Sequence, residues 1–170
     1  ILLAGLFGKK ELGIDTSKLI IIILLINVVA ILGAYLFSRL SEKIGNIATL
    51  KITIVIWGFI CLAAYLLDAK SEYIDIQFYV LGGTIGMVLG AIQSLSRSTY
   101  SKLLPETEDH ATYFSFFDVT EKISIVVGTF VFGFVAAITN SMRNSFFILA
   151  VFFLLGFIVL SFIKKTEEIK

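Results

Sequence analysis

Residues 19–38 read LIIIILLINVVAILGAYLFS, an unbroken run of 20 residues without a charged side chain. At a rise of about 1.5 Å per residue, a helix of this length crosses the hydrocarbon core of a bilayer, which is about 30 Å thick. Within lipid every backbone N–H and C=O must be paired inside the protein, and a helix does this within one segment. The stretch therefore predicts a transmembrane helix.

Four further segments are long and apolar enough to span a membrane in the same way. The five predicted spans are 19–38, 51–67, 76–96, 111–138 and 144–163. Of the 170 residues, 58% are hydrophobic and 16% are charged, whereas soluble domains carry about 25% charge. Barrel strands would alternate apolar and polar residues, which these runs do not. The predicted fold class is an all-α, polytopic transmembrane helix bundle.

The beginning of the chain is also apolar but short. Residues 1–8 cannot span a bilayer, and the chain opens without Met and without the basic region of a signal peptide. We interpret these residues as the end of a truncated sixth helix. The expected organisation is one transmembrane domain, residues 1–170, that belongs to a longer protein.

Several function classes are disfavoured by composition. The formal net charge is +1, and no basic run alternates with aromatic residues, so nucleic-acid binding is not expected. The lone cysteine, Cys61, lies in an apolar run and is interpreted as a packing residue, and His110 lies in a polar connection. No metal-ligand spacing and no catalytic constellation occur in the sequence, so we expect neither a cofactor nor an enzyme.

The Lys and Arg residues in the connections and at the ends of the spans predict the orientation of the chain, because they are more frequent in cytoplasmic loops. Eight lie on one side: Arg39, Lys43, Lys51, Arg97, Lys102, Lys164, Lys165 and Lys170. Five lie on the other: Lys9, Lys10, Lys18, Lys70 and Arg143. This modest excess predicts that the C-terminus is cytoplasmic.

The fourth span contains three charged residues, Asp118, Glu121 and Lys122. At about 100° per residue they share one helix face, with Asp118 and Lys122 about 40° apart and at the spacing of a salt bridge. Lys122 lies roughly 16 Å along the helix from Ala111, near the bilayer centre. Because such charges are costly in lipid, we expect them to face protein or a polar cavity. They form either a substrate or proton site or a structural ion-pair network between helices.

The third span carries a stripe of small residues at four-residue spacing: Gly82, Gly86, Gly90 and Ser94. Small side chains at this spacing allow two helices to approach closely. Helix packing is therefore the expected role, and a softening of the helix for bending is the alternative.

Polar residues also mark the same span and the first one. Gln93, Ser96 and Arg97 share one face, where Arg97 is suited to bind a carboxylate or phosphate, or alternatively to cap carbonyls or reach lipid headgroups. Asn27, near the middle of the first span, is a candidate pathway residue, although a hydrogen bond to a neighbouring helix is the interpretation we favour.

Three stretches of the sequence carry a resemblance to a known family. The segment GAIQSLSRSTYSKLLPE, residues 90–106, resembles the end of the tenth helix of the "unknown major facilitator" family. Residues 113–122 resemble the start of its eleventh helix, and residues 139–143 the turn before its twelfth. That family includes bacterial transporters similar to the yeast autophagy-related vacuolar amino-acid effluxer. The five spans would then be helices eight to twelve, the C-terminal half of a major facilitator fold.

The connection 38–46 resembles the cytoplasmic Gly-x-x-x-Asp-Arg-x-Gly-Arg motif of the wider superfamily, which helps to latch the two halves together. Glu42 stands for Asp, Lys43 for Arg, and Gly45 is kept, whereas Ser38 and Asn46 depart from the pattern. The chain also has Gly128–Thr129 where many family members have a Gly-Pro pair. The resemblance implies six helices in each half, a central cavity and alternating access.

The leading functional hypothesis is a secondary active transporter of a small zwitterionic or anionic solute, such as an amino acid, in a bacterial inner membrane. One acid of the fourth span would carry a coupling proton. Its partners would be the lipid bilayer, the solute and an N-terminal half of the same protein. The alternative hypothesis is a non-transporting membrane scaffold or subunit built on the same bundle, whose charged face binds a partner helix.

Overall fold

The computed structural model describes residues 2–68, 70–106 and 109–162, and every regular element within them is a helix. The six helices, in chain order, are α1 (Leu2–Lys10), α2 (Thr16–Ile44), α3 (Asn46–Leu66), α4 (Ile74–Leu103), α5 (His110–Thr139) and α6 (Met142–Phe162). The five helices from α2 onward are long and apolar enough to cross a membrane, with mean hydropathy between 1.5 and 2.9 in their most apolar windows. The all-α bundle predicted from the sequence is confirmed.

The helices extend beyond the spans predicted from hydropathy. α2 begins at Thr16 and ends at Ile44 rather than covering 19–38, and α4 continues to Leu103 instead of ending at residue 96. Much of the predicted 39–46 and 97–110 connections is therefore helical. Apolar runs mark only the part of a helix in hydrocarbon, whereas backbone hydrogen bonding continues into the interface. Residues 107 and 108, the last residue of the predicted 144–163 span, and Lys164, Lys165 and Lys170 lie outside the described residues.

Helices α2 and α4 pack against each other through glycines. A Cβ built on Gly86 would lie 2.5 Å from the carbonyl oxygen of Ile26, and one built on Gly33 would lie 2.0 Å from that of Met87. No side chain fits in these gaps, so the two backbones are in direct contact. A glycine stripe gives such closeness because it removes the side chains that would hold two helices apart.

Helices α5 and α6 form a tight antiparallel hairpin. Asn140 ends α5 in the left-handed conformation, with φ 50°. Near the start of α6, buried Ser145 donates from Oγ to the carbonyl oxygen of Phe132 at 2.9 Å. The rings of Phe132 and Phe146 meet edge to face, with centroids 5.4 Å apart. α6 in turn packs on α3, where Trp57 stacks on Phe153 at 5.3 Å.

The two ends of the bundle are held by different polar contacts. At the end where α2, α4 and α6 begin, which we call the Lys18 end, Lys18 pairs with Asp75. There the carboxylate of Glu11 also accepts a hydrogen bond from the backbone N–H of Met142 at the start of α6. The opposite end, where α3 and α5 begin, is called the Arg97 end.

Large apolar side chains cover much of the outer surface of the bundle. Among the described residues of α5 only Phe132 is buried, although this helix carries Phe116, Val126 and Phe130, all exposed. Exposure of such an apolar surface to water is unfavourable, whereas contact with lipid tails is not. With five spanning helices, the chain is a multi-pass membrane protein.

Candidate functional site

Arg97 of α4 reaches across to the two acids of α5. Its Nη2 lies 2.8 Å from Oδ1 of Asp118 and 3.7 Å from Oε2 of Glu121. The two acids are three residues apart, so they project from one face and share one guanidinium. The sequence placed Asp118 at salt-bridge spacing from Lys122, but in the structure Asp118 pairs with Arg97 of the neighbouring helix.

Aromatic side chains surround this ion pair on both helices. The guanidinium carbon of Arg97 lies 5.8 Å from the centroid of the Phe117 ring, within the range of a cation–π contact. Tyr100, nearly one turn further along α4, packs on Phe117 with centroids 4.9 Å apart and donates from its hydroxyl to the carbonyl oxygen of Tyr113 at 2.9 Å. We call Arg97, Tyr100, Phe117, Asp118 and Glu121 the Arg97 node.

The Arg97 node is only half enclosed. The side chains of Arg97, Asp118 and Glu121 are 57%, 51% and 34% exposed. In water such a pair would stabilise the fold by less than about 1 kcal/mol. Of the two acids, Asp118 makes the shorter contact, and Glu121 is the less fully engaged.

Lys122 follows Glu121 directly and is exposed, and it makes no ion pair within the described parts of the chain. It lies 12 residues into the 30-residue helix α5, roughly 18 Å from its first residue. Gln93 is exposed one turn before Arg97 on α4, so its amide lies on the face that carries the guanidinium. Helical spacing therefore puts Gln93 on the Arg97 face of α4 and Lys122 next to Asp118 on α5.

Asn27 does not join this group. Its side chain is exposed, and its Nδ2 donates to the carbonyl oxygen of Ile23, one turn earlier on α2, at 2.7 Å. Among the described residues, the hydrogen bond to a neighbouring helix that was expected of Asn27 is not seen. A side-chain amide in a helix can always return to its own backbone, and this local bond competes with partners on other helices.

The loop with the superfamily motif is reduced to one residue, Gly45, between α2 and α3. Its φ of 87° and ψ of 154° lie in a region that only glycine adopts readily. Its carbonyl oxygen accepts from both the backbone N–H and the Oγ1 of Thr49, at 3.1 and 2.8 Å. Glu42 and Lys43 are exposed on the last turn of α2. The kept glycine is therefore required by the backbone of this turn.

Asn46, one of the two departures from the motif, makes the contact to α4 that the sequence did not reveal. Its Nδ2 donates to Oγ of Ser98 at 3.0 Å, and Lys102 Nζ donates to its Oδ1 at 3.5 Å. These bonds fasten the α2–α3 turn to the Arg97 end of α4. No sequence pattern marks a cross-helix amide–hydroxyl pair, since its two members are 52 positions apart.

A metal-binding cluster or a cavity in the described part of the chain would be an alternative to this site. Within the described residues no group of three or more His, Cys, Asp or Glu side chains lies close enough to hold a metal ion. A cavity of about 470 Å³ lies between α3 and α4, and its lining includes Phe59, Ile60, Val80 and Leu81. Gln93, Arg97, Asp118, Glu121 and Lys122 take no part in it.

The whole chain, residues 1–170, matches the protein family described as vacuole effluxer Atg22 like. The chain belongs to this family. Membership in the Atg22-like family confirms the family resemblance carried by residues 90–106, 113–122 and 139–143. The family description names an effluxer rather than an enzyme.

Named relatives of the chain come from a bacterium and from yeasts. The chain is 29% identical over 160 residues to the uncharacterized MFS-type transporter YxiO of Bacillus subtilis, covering 94% of this chain and 36% of that protein. It is 31% identical over 155 residues to autophagy-related protein 22 of Kluyveromyces lactis, covering 88% of the chain and 31% of the relative. For autophagy-related protein 22 of Saccharomyces cerevisiae S288c the identity is 30% over 164 residues, with 93% and 31% covered.

The chain thus spans about a third of the length of the curated relatives that it matches, 36% and 31% for the first two. No solved structure matches the chain.

Proposed function

We propose that this chain is part of a secondary active transporter that moves a small solute across a membrane by alternating access. The observation that carries the proposal is Lys122: a lysine in the middle of an apolar spanning helix, exposed and without an ion-pair partner among the described residues. A lysine at the bilayer centre costs at least about 2.5 kcal/mol by insertion scales. A polar cavity or a solute removes that cost, and lipid does not.

The charges around Lys122 suit a small zwitterion or anion. Lys122 supplies a free ammonium for a carboxylate, while Glu121, 3.7 Å from Arg97, retains acceptor capacity for an ammonium group. The amide of Gln93 on α4 would add a neutral hydrogen-bonding group. In an amino acid, an ammonium group and a carboxylate group are attached to the same carbon. Amino acids therefore supply both required charges and are the solutes we propose. Either Asp118 or Glu121 would carry a coupling proton.

We further propose that the remaining part of the transporter supplies an N-terminal half, and that the solute site lies between the halves. Sites of this transporter class lie near the bilayer midplane at the interface between repeats, and the depth of Lys122 fits that position. The excess of Lys and Arg at the Arg97 end supports a cytoplasmic location for that end and for the C-terminus. The proposed location is a bacterial inner membrane.

The test is solute uptake by the full-length protein in proteoliposomes, with Lys122→Met compared with Lys102→Met. Met keeps the length and apolar stem of Lys, so membrane insertion should survive in both variants. We expect Lys122→Met to abolish uptake of amino acids and Lys102→Met to retain it. Normal uptake by Lys122→Met would remove this lysine from the pathway. If the unaltered protein takes up no solute and no solute stabilises it, the scaffold hypothesis is favoured.

A further inference from the structure

Helices α4 and α5 are joined at one end only. α4 packs along much of its length on α2, and α5 packs on α6, but α4 and α5 share no comparably extensive backbone contact in the described chain. The side-chain contacts between them that the structure shows belong to the Arg97 node and its neighbours Tyr113 and Phe114. Beyond the node, the described residues show no further ion pair, ring contact or side-chain hydrogen bond between α4 and α5.

The far end of α5 is held independently. Phe132 packs against Phe146, and the hydrogen bond from Ser145 fixes the α5–α6 hairpin. The stretch of α5 between Glu121 and Phe132 therefore has an attachment at each end and exposed side chains between, including Lys122 and Ile125. Loss of the Arg97 node would release one of these attachments and leave the other intact.

We propose that Arg97 is a clamp that holds α4 and α5 together at the Arg97 end and limits their separation there. Asp118, at 2.8 Å, is its first partner, and Glu121, at 3.7 Å, is its second. A guanidinium has several donors in a fixed fork, so it can pass from one acid to the other without leaving both. The clamp would control access to Lys122. The role of the clamp in transport rests on the proposed function. The contact between the two helices that the clamp maintains does not.

A cysteine reporter tests the clamp in the full-length protein. Ile125 is exposed and lies one turn beyond Glu121 on the same face of α5. Ile125→Cys is made in a Cys61→Ala background, with any cysteine elsewhere in the full-length protein also replaced. Its reaction rate with a membrane-impermeant maleimide is measured from each side of the membrane. A second reporter, Lys43→Cys, exposed at the Arg97 end, identifies the side on which that end lies.

The clamp predicts an ordered series of labelling rates from the Arg97 end. Arg97→Gln should raise the rate about two- to five-fold, the range expected for loss of a half-exposed ion pair. Asp118→Asn should raise it less, because Glu121 remains as a partner, and Asp118→Asn with Glu121→Gln should match Arg97→Gln. The exchanged pair Arg97→Asp with Asp118→Arg should return the rate toward that of the unaltered protein. Lys102→Gln, which removes a cation about one and a half turns further along α4, should have no effect.

Two results would overturn the clamp: an unchanged rate in Arg97→Gln, or an exchanged pair that labels as fast as Arg97→Gln. If Arg97→Gln does not accumulate in the membrane, the isosteric Asp118→Asn and Glu121→Gln variants decide the matter. Their double variant must then label faster than either single variant, and equal rates in all three reject the clamp. Labelling needs no solute, so a failure of Lys122→Met to reduce uptake would reject the transport site and leave the clamp standing.

Discussion

Gly90 of α4 lies so close to Ala30 of α2 that a Cβ built on Gly90 would fall 1.8 Å from the carbonyl oxygen of Ala30. No rotation of a side chain relieves such an overlap, because the obstacle is backbone. The two helices must move apart if any other residue occupies this position. The contact lies one turn from Ser94 and nearly two turns from Arg97, so the α2–α4 contact sets the position from which Arg97 reaches α5.

We therefore predict that Gly90→Ala destabilises the protein by about 1–3 kcal/mol, the usual cost of forcing extra atoms into a packed contact. The measurement is thermal unfolding of the full-length protein in detergent. Gly83→Ala is the matched control, because a Cβ at Gly83 meets no atom within 4 Å. Equal unfolding temperatures for the two variants would contradict the close α2–α4 contact.

The one-residue connection between α2 and α3 gives a second prediction. Gly45→Ala should destabilise the protein by about 1–3 kcal/mol, because its φ of 87° and ψ of 154° are strained for any residue with a Cβ. Thermal unfolding in detergent measures the effect, and Gly58→Ala, within α3 and with open space around its Cβ, is the control. A Gly45→Ala variant as stable as the control would show that the turn is not held in this conformation.

The α5–α6 hairpin depends in part on one buried hydroxyl. Ser145→Ala removes the hydrogen bond from Oγ to the carbonyl oxygen of Phe132. We expect a loss of about 0.6 kcal/mol, the average measured for side-chain hydrogen bonds between membrane helices. Ser161→Ala should be neutral, because Ser161 is exposed and bonds only to Phe157 of its own helix. The two variants are compared by denaturant unfolding in detergent, where a larger loss for Ser161→Ala would argue against the hairpin contact.

Asp109, which precedes α5 in the connection to α4, should make stability depend on pH. Hydrogen bonds from the side chain and the backbone N–H of Thr112 hold the pKa of Asp109 below its ordinary value. A carboxylate with a depressed pKa in the folded state stabilises the fold above the unfolded pKa, about 3.9, and this contribution is lost as the pH falls through the folded pKa.

Asp109→Asn keeps an oxygen that can cap the helix but removes the charge. The unaltered protein should therefore unfold at a higher temperature than Asp109→Asn at pH 7, and the difference should shrink toward zero below about pH 4. Melting curves of both proteins at a series of pH values provide the test. A difference that stays constant with pH would mean that the carboxylate charge has no role in holding the start of α5.

Much of the fold was accessible from sequence because hydropathy is a property of each side chain, whatever its neighbours. The run 19–38 identified α2 before any contact was known. The ends of the helices were harder to predict from the sequence. The polar segments around Ser41 and Ser101 are helical, because backbone hydrogen bonding continues there without any apolar pattern in the sequence. The glycines of α4 were recognisable as a stripe, although the stripe does not name the helix that it meets.

The charged site divides in the same way. That Asp118, Glu121 and Lys122 share a face of α5 follows from helical spacing alone. That Asp118 pairs with Arg97 instead of Lys122 depends on how α4 and α5 are rotated and translated about their axes. Asn27 shows the same limit, because its Nδ2 donates to the carbonyl oxygen of Ile23 on its own helix, a choice that helical spacing does not predict.

The sequence by itself determined that this chain crosses the membrane as helices and that its α5 carries charges which lipid would not tolerate. Both conclusions follow from local terms, namely the transfer energy of side chains and the period of the helix. Only the tertiary structure decided which charged residues form an ion pair. Arg97 and Asp118 are 21 residues apart in the sequence, and their side chains lie 2.8 Å apart because their two helices pack together. That distance is set by the packing of whole helices. Because this packing depends on many contacts between distant residues, no single stretch of the sequence determines it.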